Sequence, residues 1–213
     1  MTEHTSTRLA GKRPAGAVLA GGRSRRLGAD KTRLALVRDG RVLSLVEWAI
    51  ARLAPFCDPV VVAGPAAVAA GARAIADGPA PGPAAGLLGA GAALPGRSVL
   101  ALACDLPWVG CDALERLLAR SREGDVDLVL FRSAGGLEPL CSLWSPAALA
   151  RLAARCAAGD PSLWSLTDDP LLSSVVLDAS DLGERAFFNL NRPEDLERFV
   201  AREGRHVVTS ISR

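Results

Sequence analysis

Glycines and basic residues crowd together directly after the first apolar run of the chain. The apolar residues 15–20 are followed by Gly21 and Gly22, and then by a basic cluster of Arg23, Arg25, Arg26, Lys31 and Arg33. Paired glycines let a chain turn its backbone N–H groups toward a ligand, and such a nest favours phosphate. Arginine and lysine side chains would neutralise the charge of a triphosphate. The segment therefore predicts a nucleotide-phosphate loop.

A plainer interpretation of this segment is a solvated basic loop beside a tight turn. It is not a Walker A loop, because Ala29 and Asp30 separate Gly28 from Lys31, where that motif has glycine next to lysine. It also lacks the Gly-x-Gly-x-x-Gly spacing of dinucleotide-binding folds. We favour phosphate binding, because glycines, positive charge and a position after a strand would otherwise coincide by accident.

A second candidate is the turn that follows the apolar run 98–104. Asp105 comes directly after this run, and Pro107 then stops the predicted strand. Mg²⁺ takes one or two carboxylates together with phosphate oxygens, so Asp105 is a candidate magnesium ligand. Alternatively, Asp105 caps the turn or the helix that follows. Next to a phosphate loop, the metal-binding interpretation is the stronger one.

Three further segments carry polar residues that could face a ligand. Asp77 ends a short predicted strand and opens the glycine- and proline-rich segment 77–86. Asn189 and Asn191 alternate with apolar residues, so their amides share one face of an extended segment. Glu138 follows a glycine pair and precedes a predicted strand. Each segment also has a structural explanation, as a surface turn, a turn before a helix, or a contact with solvent.

The composition excludes several kinds of chemistry. The chain has 213 residues and a net charge of +2, which fits one domain and does not favour bulk binding of nucleic acid. Its two histidines, His4 and His206, lie near the ends of the sequence, and there is no tyrosine. A Ser-His-Asp or Cys-His mechanism therefore lacks its base. We expect chemistry based on carboxylates, lysine, arginine, backbone N–H groups and a hard metal ion.

The cysteines and the hydropathy pattern bear on the compartment. Five cysteines without a Cys-x-x-Cys pair indicate reduced thiols rather than a disulfide framework or a zinc site. No apolar run approaches the ~20 residues that span a bilayer, and the first residues lack the apolar core of a signal peptide. We therefore expect a cytoplasmic protein that does not contact a membrane.

Short apolar runs alternate with helical patterns along the chain. The predicted strands are 15–20, 59–63, 72–76, 98–104, 125–131, 140–144 and 173–178. The predicted helices are 43–54, 65–71, 84–94, 111–122, 145–159 and 192–203. This alternation predicts an α/β fold with three layers, a mostly parallel Rossmann-like sheet with helices on both faces, and ligands beyond the carboxyl ends of its strands. We expect one domain over 15–203, with flexible tails at 1–14 and 204–213.

Four of these segments, in this order, resemble motifs of the molybdenum cofactor guanylyltransferase family. The family's Leu-Ala-Gly-Gly, basic stretch and Asp-Lys, its Gly-Pro-Leu-Ala-Gly loop, its Asp-x-Pro turn and its closing Asn-x-Asn-Thr-Pro-Glu-Asp/Glu-Leu correspond to residues 19–31, 82–86, 105–107 and 189–196. Leu27 stands where the family usually has methionine, and Arg192 stands where it has threonine. The resemblance covers about residues 15–203, and the Gly-Gly and Asn-x-Asn pairs favour the guanylyl branch over the related cytidylyltransferases.

The resemblance implies a nucleotidyltransferase fold and a specific reaction. The terminal phosphate of molybdopterin would attack the α-phosphorus of GTP, and pyrophosphate would leave. Asp105 would bind Mg²⁺, and the Lys31 and Arg25 side chains would stabilise charge on the phosphates. The implied nucleotide-binding residues are Leu19, Ala20 and Gly21 at the base, Gly22 in the phosphate loop, and Asp77 near the base or ribose. Asn189 and Asn191 would face the pterin.

Other interpretations stay open at this point. The same fold and site would suit a nucleotidyltransferase that uses CTP or another NTP on a different phosphorylated acceptor. A non-catalytic nucleotide-binding accessory protein is a second alternative, although Lys31 and Asp105 argue against it. The expected partners are GTP and a molybdopterin-type substrate, with transient contacts to other molybdenum-cofactor proteins and with no nucleic acid. The expected oligomeric state is a monomer or a weak oligomer.

Overall fold

The fold is known over most of the chain. The structure is a computed structural model, and it describes residues 13–21, 35–38, 41–64, 72–183, 185–190, 195 and 207–208. Strands and helices are interspersed along these residues. In the described ranges no helix is long and apolar enough to cross a membrane.

The described residues contain ten strands in two sheets. In chain order they are β1 (Ala15–Leu19), β2 (Ala35–Arg38), β3 (Arg41–Ser44), β4 (Val60–Ala63), β5 (Arg73–Ile75), β6 (Val99–Ala103), β7 (Leu128–Ser133), β8 (Gly136–Trp144), β9 (Ser174–Asp178) and β10 (Val207–Val208). The large sheet has the order β5-β4-β1-β6-β8-β7-β9. Strand β8 is antiparallel to both of its neighbours, and every other adjacent pair is parallel. The mostly parallel sheet predicted from the sequence is therefore confirmed.

The centre of the large sheet is covered on both faces. Every residue of β1 and β6 is buried, which is why these strands are continuous apolar runs rather than alternating ones. Strand β1 pairs with β4 on one side and with β6 on the other. Among the described residues, the largest fully buried side chains are Trp144 of β8 and Phe131 of β7. The hydrophobic core thus surrounds the strands that the sequence marks most clearly.

Four α-helices that are described over their whole length flank the sheet. They are α1 (Leu45–Leu53), α2 (Pro83–Ala93), α3 (Cys111–Arg122) and α4 (Pro146–Ala157). Helices α2 and α4 pack against each other. Helices α1 and α3 are joined by a contact of 4.0 Å between an Arg52 guanidinium nitrogen and the Cys111 Sγ. The helices therefore form two pairs, which gives the predicted layers.

Local sequence explains where two of the helices begin. The Ser44 hydroxyl accepts a hydrogen bond from the Glu47 N–H at 3.2 Å, and the Glu47 carboxylate accepts one from the Ser44 N–H at 2.8 Å. This capping box starts α1 at Leu45, so the predicted start at residue 43 was too early. The Ser145 hydroxyl accepts a hydrogen bond from the Ala148 N–H at 3.1 Å and so caps α4, with Pro146 in the first turn.

A small second sheet was not predicted from the sequence. Strands β10, β2 and β3 form an antiparallel sheet of three short strands in that order. Strand β10 lies inside the segment 204–213 that we expected to be a tail. The predicted helices 65–71 and 192–203 lie outside the described residues, except for Asp195, which is helical. The proposed limits of the single domain, 15–203, stay a prediction.

Candidate active site

The carboxyl ends of β1, β4 and β6 meet at one edge of the sheet. Leu19 and Ala20 are buried there, each with 6% of its surface exposed. The Ala20 N–H donates to the Ala63 carbonyl at 2.8 Å, and the Cys104 N–H donates to the Leu19 carbonyl at 3.2 Å. The backbone of the first motif is therefore held by both neighbouring strands just before it reaches Gly21, which is exposed.

Asp77 lies beside Gly21 at this edge. A Cβ placed on Gly21 would be 3.5 Å from a carboxylate oxygen of Asp77, so the two residues are neighbours. Asp77 is exposed, so its carboxylate is open to solvent at this edge. The predicted nucleotide-binding residues Leu19, Ala20, Gly21 and Asp77 thus come together in the structure.

Two glycines allow the chain segments around Gly21 to approach closely. Gly64 has a φ of +118°, and a Cβ at this position would lie 2.6 Å from the Gly21 nitrogen. Gly86, in the first turns of α2, packs against the Leu19 side chain, which a Cβ would approach to 2.9 Å. Side chains at these positions would push apart the backbone segments that form the edge.

Asp105 lies in the turn after β6, in the middle of the same edge. It is half-buried, and its backbone carbonyl accepts a hydrogen bond from the Leu190 N–H at 2.9 Å. The Pro107 carbonyl in the same turn accepts a hydrogen bond from the Trp48 indole Nε1–H at 2.9 Å. The turn is therefore tied both to α1 and to the segment that carries Asn189.

Asn189 lies in a segment that the Leu190 N–H ties to the Asp105 turn and that Phe187 ties to β7, which is on the far side of β6 from β5. It is half-buried, within a segment whose aromatic residues anchor it to the sheet. Phe188 packs edge-on against Trp108 with ring centroids 5.5 Å apart, and Phe187 packs against Phe131 at 5.3 Å. The structure therefore brings the third and fourth motifs together, as the sequence predicts.

Glu138 is a further carboxylate at this edge that the sequence marked only weakly. It stands near the start of β8, and because β8 is antiparallel to β6, that start lies beside the carboxyl end of β6. Burial raises the pKa of the Glu138 carboxyl, and a hydrogen bond of 2.5 Å from the Ser133 hydroxyl opposes the increase. Predicting this position would have required knowing that β8 runs antiparallel to β6, and the sequence alone does not show the direction of a strand.

The cysteines near the edge are poorly suited to act as nucleophiles. Cys104 and Cys141 are both buried. Burial, and to a smaller extent the Glu138 carboxylate, raises the pKa of the Cys141 thiol, so this thiol stays protonated at neutral pH.

Several predicted site residues lie outside the described residues. They are Gly22, Arg25, Lys31 and Asn191. Their roles in phosphate and acceptor binding stay predictions.

The residues around Asp105 fit a magnesium ion that is held mainly by its substrate. Among the described residues no cluster of three or more histidine, cysteine or acidic side chains is arranged to hold a metal. Mg²⁺ does not need such a cluster, because it binds one or two carboxylates together with phosphate oxygens and water. A half-buried carboxylate beside a predicted phosphate loop meets this requirement.

A larger cavity lies away from this edge. It has a volume of about 580 Å³ and lies between α2 and α4. Its lining, within the described part of the chain, is apolar apart from Arg97 and Cys156 and includes none of the site residues that the structure describes. The described site residues therefore lie at the edge of the sheet and not in this cavity.

Comparison with known proteins agrees with this geometry. The MobA-like NTP transferase domain family matches residues 16–170 of the chain. The molybdenum cofactor guanylyltransferase of Cereibacter sphaeroides is 35% identical over 193 residues, which cover 86% of this chain and 93% of that protein. The crystal structure of molybdopterin-guanine dinucleotide biosynthesis protein A from Archaeoglobus fulgidus is 26% identical and superposes with a TM-score of 0.70, covering 86% of this chain and 95% of that one.

A more distant structure shares the fold. The complex of Rv0371c with manganese from Mycobacterium tuberculosis H37Rv is 19% identical, with a TM-score of 0.62, and covers 90% of this chain and 100% of that one. The chain belongs to the MobA-like NTP transferase family, with molybdenum cofactor guanylyltransferases among its relatives. The resemblance found in the sequence motifs and the α/β nucleotidyltransferase fold are both confirmed.

Proposed function

We propose that this member of the MobA-like NTP transferase family transfers GMP from GTP to the terminal phosphate of molybdopterin. The main supporting observation is the placement of Asp105 between two groups of residues at one edge of the sheet. Leu19, Gly21 and Asp77 lie toward β1 and β5, while Asn189 lies beside the turn that contains Asp105. This arrangement suits two substrates that meet at one carboxylate. The guanylyltransferase relatives support GTP and molybdopterin as that pair.

In this transfer the side chains need only bind the substrates and neutralise the charge of their phosphates. An oxygen of the acceptor phosphate forms the new bond to the α-phosphorus, and the bond from that phosphorus to pyrophosphate breaks. The acceptor phosphate is already ionised at neutral pH, so the reaction needs no strong general base. This agrees with a sequence whose only histidines are His4 and His206. Positioning and electrostatic stabilisation supply most of the rate enhancement in such reactions.

Each proposed site residue has a separate task. Asp105 would hold Mg²⁺, which supplies neutralisation of phosphate charge when bound. Lys31 and Arg25 would bind the phosphates, and Gly22 would direct its N–H toward them. The backbone at 19–21 would contact the base, and Asp77 would contact the base or ribose. Asn189 and Asn191 would bind the pterin.

The same proposal covers the setting of the reaction. We place it in the cytoplasm, as the cysteine pattern indicates, with no nucleic acid or membrane as partner. The protein would work as a monomer or weak oligomer and would meet other molybdenum-cofactor proteins transiently.

The first experiment is calorimetric titration with GTP, CTP, UTP and ATP, each with and without Mg²⁺. We expect GTP to bind best and its affinity to increase with Mg²⁺. Turnover is then measured as formation of the guanine dinucleotide from GTP and molybdopterin. Lys31→Ala and Asp105→Asn should each lower this rate at least about 100-fold while circular dichroism stays that of the wild type.

Each other outcome changes a specific part of the proposal. A preference for CTP or another NTP would keep the fold and site but change the nucleotide and acceptor. Binding of GTP without turnover would favour a non-catalytic accessory protein. A wild-type rate in either variant would contradict the proposed catalytic role of that residue.

A further inference from the structure

An open cleft lies beside the Asp105 turn on the side away from the nucleotide-binding residues. It has a volume of about 310 Å³ and is lined by Trp108, Leu182, Gly183, Arg185 and Ala186. None of these residues belongs to the motifs that suggested the function. The motifs therefore do not account for this cleft.

The cleft stands at the same edge of the sheet as Asp105. Trp108 is in the segment that follows the Asp105 turn, and the Leu190 N–H donates to the Asp105 carbonyl at 2.9 Å. Residues 179–183 follow β9, which runs parallel to β7, so they also leave the sheet at its carboxyl edge. The segment with Trp108 and the segment after β9, which form the two walls of the cleft, thus both leave the sheet at the edge where we propose that the reaction takes place.

Both walls of the cleft are held in place by contacts with neighbouring residues. Phe188 packs edge-on against Trp108 at 5.5 Å between ring centroids. On the other wall, the Arg116 guanidinium of α3 binds the Asp181 carboxylate at 2.5 Å and the Asp178 carbonyl at 2.8 Å. A cleft with both walls fixed is suited to binding a ligand without large rearrangement.

Arg185 gives the cleft its charge. It is exposed, and among the described residues its guanidinium has neither a hydrogen bond nor an ion pair. Arg116 is different, because it is engaged with Asp181. An available guanidinium at the mouth of a cleft favours an anionic group, since its planar fork binds phosphate and carboxylate oxygens in pairs.

The other lining residues favour a ligand with a flat or apolar part. Trp108 is half-buried and offers an indole surface, while the half-buried Leu182 adds apolar surface. Aromatic side chains stack well on heterocyclic rings. The lining thus combines one cation with an aromatic and aliphatic surface, which suits an anionic compound with a ring system.

We propose that this cleft binds the acceptor substrate, with Arg185 contacting an anionic group of the acceptor and Trp108 packing against its ring. This inference rests on the proposed transfer to a phosphorylated acceptor, and it adds two residues to the acceptor side. The nucleotide would not touch either residue, because Gly21 and Asp77 lie toward the opposite end of the strand order.

The test compares Arg185→Ala with Arg122→Ala. Both variants remove one exposed arginine, but Arg122 lies in the last turn of α3 and does not line the cleft. The rate of guanine dinucleotide formation is measured against molybdopterin concentration, and GTP affinity is measured by calorimetry. For Arg185→Ala we expect the KM for molybdopterin to rise about tenfold, with GTP affinity unchanged. Arg185→Lys should recover part of the loss, and Arg122→Ala should match the wild type.

Two results would overturn the inference, and they differ from each other. If the wild type forms product and Arg185→Ala has an unchanged KM for molybdopterin, the cleft does not bind the acceptor, while the proposed function stands. If the wild type forms no product from molybdopterin, the proposed function fails and this inference fails with it. Trp108→Phe gives an independent check, because it keeps an aromatic ring and should raise the same KM less than Trp108→Ala.

Discussion

At the scale of single residues, the position of Asp105 depends on contacts from distant parts of the chain. The Trp48 indole donates to the Pro107 carbonyl at 2.9 Å, and the Leu190 N–H donates to the Asp105 carbonyl at the same distance. The Arg52 guanidinium lies 5.2 Å from the Trp48 ring centroid, within the range of a cation–π contact. Helix α1 therefore supports the turn that carries the proposed metal ligand.

We predict that Trp48 is a positioning residue for Asp105. Trp48→Phe keeps an aromatic ring but removes the N–H donor, which leaves the Pro107 carbonyl without this bond. A lost hydrogen bond of about 1 kcal/mol corresponds to about a fivefold effect. We expect kcat to fall by about this factor and half-maximal activation to need more Mg²⁺. GTP affinity measured without Mg²⁺ should stay unchanged.

The control for Trp48 is Trp164→Phe. Trp164 is 64% exposed, so its loss should leave both the rate and the Mg²⁺ dependence as they are in the wild type. Steady-state rates over a range of Mg²⁺ concentrations would provide the comparison. An unchanged Mg²⁺ dependence in Trp48→Phe would show that the hydrogen bond does not serve the metal site.

At the scale of elements, apolar runs predicted all seven strands of the large sheet, with shifted ends. Strands buried on both faces, such as β1 and β6, must be continuously apolar, which makes them easy to recognise. The small sheet is different, because β2 and β3 have four residues each and β10 comes from far along the chain. Pairing between distant short strands depends on tertiary structure and leaves little local pattern.

Helix α2 shows how glycine positions set the distance between an element and the site. A Cβ on Gly89 would overlap the Ala76 carbonyl oxygen and lie 3.3 Å from the Asp77 Cα. A Cβ on Gly91 would meet only Leu149, at ordinary contact distances of 3.6 Å and more. One glycine therefore allows the helix to lie against the Asp77 segment, and the other has no such role.

We predict opposite effects for alanine at these two positions. Gly89→Ala should lower the free energy of unfolding by about 1–3 kcal/mol, because backbone atoms must move to admit the methyl group. The displacement of Asp77 should also weaken nucleotide binding. Gly91→Ala should raise the free energy of unfolding by up to about 1 kcal/mol, because alanine favours helix. Urea unfolding of both variants decides this, and equal stabilities would contradict the close packing of α2.

At the scale of the whole molecule, the sequence allowed the convergence of several candidate residues at one edge to be predicted wherever parallel strands carry them. Asp77, Asp105 and the backbone at 19–21 follow strands that point the same way, so their convergence follows from the fold class. The position of Glu138 could not be predicted in this way. Strand β8 is antiparallel to β6, so the first residues of β8, and not its last, lie at this edge. The position of Arg185 could not be predicted either, because the cleft forms only when separate segments of the chain come together in the fold.

Far from the site, an ion cluster links α4 to the segment that leads into β9. The Asp169 carboxylate, whose side chain is only 1% exposed, accepts hydrogen bonds from Arg151 at 2.7 Å and from Arg155 at 3.1 Å. Arg155 also pairs with Asp160. The bond from Arg151 is the main cause that holds the pKa of the Asp169 carboxyl below its usual value. Protonation of Asp169 should therefore destabilise the folded state.

The pH dependence of stability follows from the direction of this shift. An aspartate with a lowered pKa stabilises the folded state above its unfolded pKa of about 3.9, and this contribution disappears as the pH falls through its folded pKa.

We expect the urea midpoint of the wild type to fall as the pH drops below about 4. Asp169→Asn should have a lower midpoint than the wild type at pH 7, and the difference should shrink toward about pH 3. Asp168→Asn, which changes the exposed neighbour, should follow the wild type throughout. A constant gap between Asp169→Asn and the wild type at every pH would mean that packing, and not the charge of Asp169, holds this segment to α4.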